Sequence, residues 1–191
     1  MSSQRTTYVS PEEYLAQERL AERKSEYFQG EVFAMSGASR PHVWIVANVV
    51  IEVGQQLKGK PCRITASDSR LRVTPAGLYT YPDVMVVCGE EQVADNQKDT
   101  ILNPIVIVEV LSDSTRDYDR GRKFQYYRTL PSLMEYLTIE QDEPHVEHWT
   151  RQPENQWNLA EFDELRQSIQ LKSIGCTLPL AEVYDKIEWP I

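Results

Sequence analysis

Two stretches near the middle of the chain have no polar face. Pro82-Asp83-Val84-Met85-Val86-Val87-Cys88 is apolar after its second residue, and Pro104 to Leu111 carries Ile105, Val106, Ile107 and Val108 in succession. Largely β-branched runs of this length predict buried strands, the second one central and covered on both sides. Each contains one carboxylate, Asp83 at the start of the first and Glu109 near the end of the second. Joined as antiparallel neighbours by the polar stretch from Gly89 to Asn103, they lay the start of one beside the end of the other. A period of two sorts Asp83 with Met85 and Val87, and Glu109 with Ile107 and Ile105. The pattern therefore predicts that two acids meet at an apolar sheet.

The next segment is helical in spacing. Ser112-Asp113-Ser114-Thr115 has N-cap residue types, Asp117 and Asp119 suit a first turn, and Pro131 stops a helix running from about Thr115 to Thr129. Lys123 sits where this helix turns from its packed to its open face, so its stem can lie along apolar surface and carry the ammonium toward the two acids. Leu133 to Ile139 then reads as a strand, giving strand, helix, strand and a right-handed parallel crossover in a mixed sheet.

Elsewhere the pattern is shorter in range. Ser10 before Pro11, Glu12 and Glu13 starts a helix to about Glu22, and Ser25 to Met35 alternates around Gln29-Gly30 as a hairpin with Tyr27, Val32 and Phe33 packed. Glu31, just past that turn, is a candidate third acid, with Glu26 the weaker one. Pro41 to Leu57 carries a helical apolar stripe whose β-branched residues need packing to hold them; His42 lies in its first turn, read as structural ahead of phosphate-facing. Two strands, Cys62 to Ala66 and Arg70 to Thr74, flank the turn Ser67-Asp68-Ser69, and Pro75-Ala76-Gly77 makes another turn. His145 to Thr150 and Gln156 to Phe162 form a hairpin. A strand at Ser168 to Leu171 and a short helix at Leu180 to Tyr184 end the chain, with Trp189-Pro190 either packed or an anchor for a second subunit.

Composition narrows the classes. The 191 residues, 41% of them apolar, are enough for one packed domain over 1–191 and short for two. A net charge of -9 argues against general electrostatic nucleic-acid binding, so any such site is local. Candidate basic positions are Arg116, Arg120, Arg122, Lys123 and Arg128 on the helix and Arg63, Arg70 and Arg72 before the first acid; a solvated basic face is the plain alternative. Cys62, Cys88 and Cys176 show neither a disulfide framework nor zinc-ligand spacing, which points to a reducing compartment. With no leader pattern and no apolar run near ~20 residues, the expectation is a cytoplasmic protein without a membrane span.

Two carboxylates against apolar surface repel unless a proton or cation lies between them, and a hard divalent ion suits oxygen ligands. Tyr81-Pro82-Asp83 with Val108-Glu109-Val110 resembles the PD-(D/E)xK nuclease superfamily. More closely, Tyr27-Phe28-Gln29-Gly30-Glu31-Val32, Tyr81-Pro82-Asp83-Val84, Val108-Glu109-Val110-Leu111-Ser112 and Lys123-Phe124-Gln125-Tyr126-Tyr127-Arg128 resemble, in order and spacing, the Uma-two family of restriction-endonuclease-like proteins, a domain of unknown function. The likeness spans roughly residues 8 to 140. It implies an α/β (α+β) fold, a restriction-endonuclease-like mixed β-sheet core flanked by helices. It also implies metal-dependent hydrolysis of nucleic acid, DNA first; cutting a duplex needs two active sites or two visits, and a homodimer is the simplest supply. Asp83, Glu109 and the Val110 carbonyl would hold Mg2+ or Mn2+, Lys123 would orient water or neutralise phosphate, and Glu31 would support the ion or accept a proton. The superfamily's lysine two places after the second acid is Leu111 here, so Lys123 must replace it from the helix. Three other readings stand beside this one: a structural ion pair, a catalytically silent binding module, and a hydrolase of smaller phosphate esters.

Overall fold

Alternation along the strands decides which residues share a face, and the computed structural model, which describes residues 8–74, 77–112 and 116–189, shows what covers each face. In chain order the first half holds α1 (Pro11–Glu18), β1 (Ser25–Phe28), β2 (Glu31–Ala34), α2 (Arg40–Gln56), β3 (Cys62–Ala66), β4 (Arg70–Val73), β5 (Leu78–Thr80) and β6 (Val84–Cys88). The second half holds β7 (Thr100–Ile101), β8 (Val106–Leu111), α3 (Arg116–Tyr118), a π-helical turn (Asp119–Lys123), α4 (Phe124–Tyr127), β9 (Glu135–Glu140), β10 (Val146–Arg151), β11 (Trp157–Phe162), β12 (Ser168–Leu171), β13 (Cys176–Pro179) and α5 (Leu180–Val183).

A six-stranded mixed sheet runs β11-β10-β9-β8-β6-β3, and a second sheet of five strands runs β2-β1-β5-β4-β7. In the first, β6 and β8 are antiparallel while β8 and β9 are parallel across the helical segment, as the strand-helix-strand pattern predicts. Its two faces carry separate cores. On one, Val84, Val86, Val106, Val108 and Val110 meet Ile45, Val49 and Val53 of α2 and Leu180 and Val183 of α5. On the other, Met85, Val87 and Ile107 meet Leu71, Val73 and Leu78 of the five-stranded sheet and Phe124 and Tyr127 of α4. The predicted partition holds for Glu109 with Ile107, whereas Asp83 precedes β6 and meets His42 of α2 and not the core of Met85 and Val87. Ile105 lies against the opposite core.

Local signals explain the helix starts. Ser10 and Glu13 form a reciprocal capping box on α1, and the Ser39 hydroxyl accepts the His42 N–H at 3.2 Å to cap α2. β-branched residues cost a helix well under ~1 kcal/mol each. Ile45, Val46, Val49 and Val53 are all buried on α2, where each contributes about 1.5–3 kcal/mol. Burial outweighs propensity.

Several expectations need correcting. Val32 and Phe33 are 43% and 48% exposed, because β2 is the outermost strand of its sheet. Cys62 and Cys88, separated by 26 residues, form a disulfide between the directly paired strands β3 and β6. Spacing alone argues against any disulfide, whereas strand register brings the two together. The helix of Lys123 is interrupted by the π turn, and β13 is a strand that the hydrophobic pattern does not predict. Trp189 is packed: its indole N–H donates to the Gln141 carbonyl at 3.2 Å and its ring meets Tyr184. The proposed cap at Asp113 to Thr115, the Pro75-Ala76 turn, residues 1–7 and Pro190 lie outside the described residues.

Candidate active site

The site forms where the β6–β8 ladder ends. Their paired residues run to Val84 and Val108, and one position further Asp83 continues the ladder with its side chain. Asp83 Oδ2 accepts the Val110 N–H at 2.8 Å, and the Asp83 N–H points at Glu109 Oε2 at 3.3 Å. The two acids thus meet at the predicted place. Because the N–H and C=O of one strand residue lie on the same edge, the Val110 carbonyl turns toward the Asp83 side as well.

Lys123 reaches them from the helix. Its Nζ lies 2.9 Å from Glu109 Oε1, 3.2 Å from Asp119 Oδ1 and 3.3 Å from Glu26 Oε1. Asp119 and Lys123 bound the π turn, whose wider spacing directs both inward while Phe124 and Tyr127 remain on the packed face. The Tyr127 hydroxyl completes the ring by donating to Glu109 Oε1 at 2.7 Å. Glu26 is positioned by the Thr80 hydroxyl from the neighbouring strand of its sheet.

Two placements differ from the sequence reading. Glu31 is exposed on β2, and Glu26, the weaker candidate, occupies the site beside Lys123. His42, read as structural, lies with Nε2 3.0 Å from Asp83 Oδ1. Neither Glu26 nor His42 has a catalytic partner nearby in sequence. The usable signals were the shared face of Glu26 and Phe28, and the position of His42 in the first turn of a helix packed on the sheet of Asp83.

Three carboxylates, Glu26, Glu109 and Asp119, crowd around one ammonium, and Asp83 lies beside Glu109 with His42. Glu109 is only 3% exposed. Burial pushes its carboxyl up to about 8; Lys123 opposes this, and Asp119 and Asp83 add to it. Burial alone would lower the Lys123 ammonium, but Glu109, Tyr127, Glu26 and Asp119 hold it well above its ordinary value. Burial and then Glu109 keep the Tyr127 hydroxyl protonated. At neutral pH the arrangement is a charged lysine facing a Glu109 carboxyl that burial keeps protonated.

Among the described residues, no group of three or more His, Cys, Asp or Glu side chains is arranged to hold a metal ion. Asp83 and Glu109 nevertheless suit Mg2+, which commonly keeps several waters and takes only one or two carboxylates from protein. Each of their oxygens already has a protein donor or cation nearby, and each retains acceptor capacity beyond it.

Comparison with known proteins bears on the family and the fold. A family model described as "Putative restriction endonuclease" (Uma2) matches residues 11–181. Two uncharacterized proteins of Synechocystis sp. are similar over most of their length. One is 38% identical over 157 residues, covering 82% of this chain and 89% of that protein; the other is 34% identical over 176 residues, covering 92% and 91%. The crystal structure of "a putative nuclease belonging to DUF820" from Anabaena variabilis superposes with a TM-score of 0.74, covering 94% of this chain and 99% of that one, at 17% identity. Identity this low shows the fold, which is nuclease-like. The chain belongs to the Uma2 family of restriction-endonuclease-like proteins.

Proposed function

We propose that this protein is a metal-dependent nuclease hydrolysing phosphodiester bonds of nucleic acid, with DNA the expected substrate. The observation that carries the reading is the convergence of Asp83, Glu109 and Lys123 where β6 and β8 part. Asp83, Glu109 and the Val110 carbonyl would hold Mg2+ or Mn2+, which when bound supplies charge stabilisation for the phosphoryl oxygens and a more acidic water. The chain's own groups do the rest. Lys123, fixed by three carboxylates, presents a permanent cation that neutralises phosphate or orients a water. His42 holds the Asp83 carboxylate in place from α2. The proton-accepting role expected of Glu31 passes to Glu26. A homodimer would place one site on each strand of a duplex.

A silent binding module is the second reading, and the observation favouring it is that the Asp83 and Glu109 oxygens are already engaged by protein groups. Calorimetric titration of Mn2+ into wild type and Asp83→Ala separates the two. The nuclease reading expects binding in wild type that vanishes in the variant, along with metal-dependent cleavage of DNA. Cleavage that survives Asp83→Ala unchanged would sink it.

A further inference from the structure

A groove of ≈ 590 Å³ lies on the other flank of the helix that carries Lys123, between α4 and the β10–β11 hairpin. Phe124 faces this groove while Lys123, its neighbour in sequence, faces Glu109. Trp149 and Trp157 line it from the same face of the hairpin, and both pack against Phe124, with ring centroids 4.9 and 5.3 Å away. Arg120 and Arg128 contribute positive charge. The chain has 29 acidic and 20 basic residues, yet no carboxylate lines this groove among the described residues. The Arg120 guanidinium is tied to Glu140 and Glu147, each at 3.1 Å. Arg128 is exposed and makes no ion pair among the described residues, so it carries the attraction for an anion.

We propose that this groove binds unstacked bases of single-stranded nucleic acid and extends the substrate path from the Asp83 site around the helix, an assignment that rests on the nuclease reading. Aromatic rings beside arginine suit bases and backbone together, since every base offers a π face and every linkage a charge. Amides from Gln125 and Asn158 are placed to meet base edges. Fully paired duplex keeps its bases stacked and cannot use the aromatic wall.

The test is fluorescence anisotropy of a labelled oligothymidylate of about ten nucleotides, in EDTA, with wild type, Arg128→Glu and Trp157→Phe. Arg128→Glu should bind about tenfold more weakly than wild type, and wild type should bind duplex of equal length more weakly than the single strand. Binding should quench tryptophan fluorescence, less so in Trp157→Phe; Trp44 and Trp189 belong to elements on the opposite face of the sheet. Wild-type affinity in Arg128→Glu, absent quenching, or equal binding of duplex would each overturn the proposal. If the oligonucleotide does not bind but Mn2+ still binds at Asp83, the groove assignment fails alone. If it binds while Asp83 takes no ion, the nuclease reading fails alone.

Discussion

Glu109→Gln should remove a pH-dependent component of stability that wild type carries in metal-free buffer. The substitution preserves shape and an acceptor for the Tyr127 hydroxyl while removing the titrating group. Glu109 has its carboxyl raised from 4.5 to about 8 by burial, so the folded state binds this proton more tightly than the unfolded chain. The stabilisation is fully present below pH 4.5 and is lost as pH rises through 8. At about 1.4 kcal/mol per pH unit, the full interval corresponds to at most about 5 kcal/mol. Of the other shifted acids and lysines, Asp99 and Lys123 act outside this window and Glu140 cancels in the comparison. Asp99, held near 2 chiefly by Arg19, titrates below it; Lys123, held well above 10.5, titrates beyond it; Glu140, also raised by burial, is common to both proteins. Urea unfolding of both proteins at intervals from pH 5 to pH 9 in EDTA measures the difference. Its midpoint should fall with pH in wild type and much less in the variant. A stability difference constant within about 1 kcal/mol across the range would refute the account, because it would mean that Glu109 has an ordinary carboxylate pKa despite its burial.

Glu26→Gln and Glu31→Gln should behave oppositely. The first removes a carboxylate 3.3 Å from Lys123 and should lower nuclease activity about tenfold or more, while the second alters an exposed position and should leave it unchanged; parallel cleavage assays check both, and the reverse ranking would restore Glu31. Reducing the Cys62–Cys88 disulfide should cost about 3 kcal/mol for the loop it closes. Thermal melts with and without reductant would show this as a lower midpoint, and a Cys62→Ala/Cys88→Ala control should lack the response.

Much of the frame was legible because it depends on local pattern. The apolar runs at 82–88 and 104–111 could only be interior strands, and antiparallel pairing then forced Asp83 toward Glu109. Lys123 could be assigned from helical spacing, although nothing in the sequence marks the π turn that sets its direction. The remaining residues depend on contacts between distant segments. Glu26 reaches Lys123 only because the β1–β2 hairpin joins a second sheet laid over the helix, and His42 reaches Asp83 only because α2 packs across the other face. Cys62 and Cys88 illustrate the same limit: they pair through the register of β3 with β6, which their spacing in the chain does not express. The exposure of Val32 and Phe33 likewise comes from β2 being an edge strand, a property of sheet order.

The same sheet supplies an internal comparison for whether the Asp83 cluster is merely structural. Buried Glu135 is matched by His148 and by the Ser173 N–H at 2.7 Å; burial opposes its ionisation, but these partners hold it below its ordinary value. Glu140 faces two guanidinium groups, Arg116 at 3.0 Å and Arg120 at 3.1 Å. Where this fold buries an acid elsewhere in the sheet, it provides at least one basic side chain for each among the described residues. At the end of β6 and β8, three acids share Lys123, and beside them Asp83 has His42, the one other group among the described residues there able to carry positive charge. An ion pair kept for stability gains nothing from surplus carboxylates, since each raises the cost of ionising the next. A surplus does favour a bound cation, which would take the place of the proton that Glu109 retains. The imbalance therefore argues for a metal-binding role over a structural one, and the Mn2+ titration of Asp83→Ala tests that role directly.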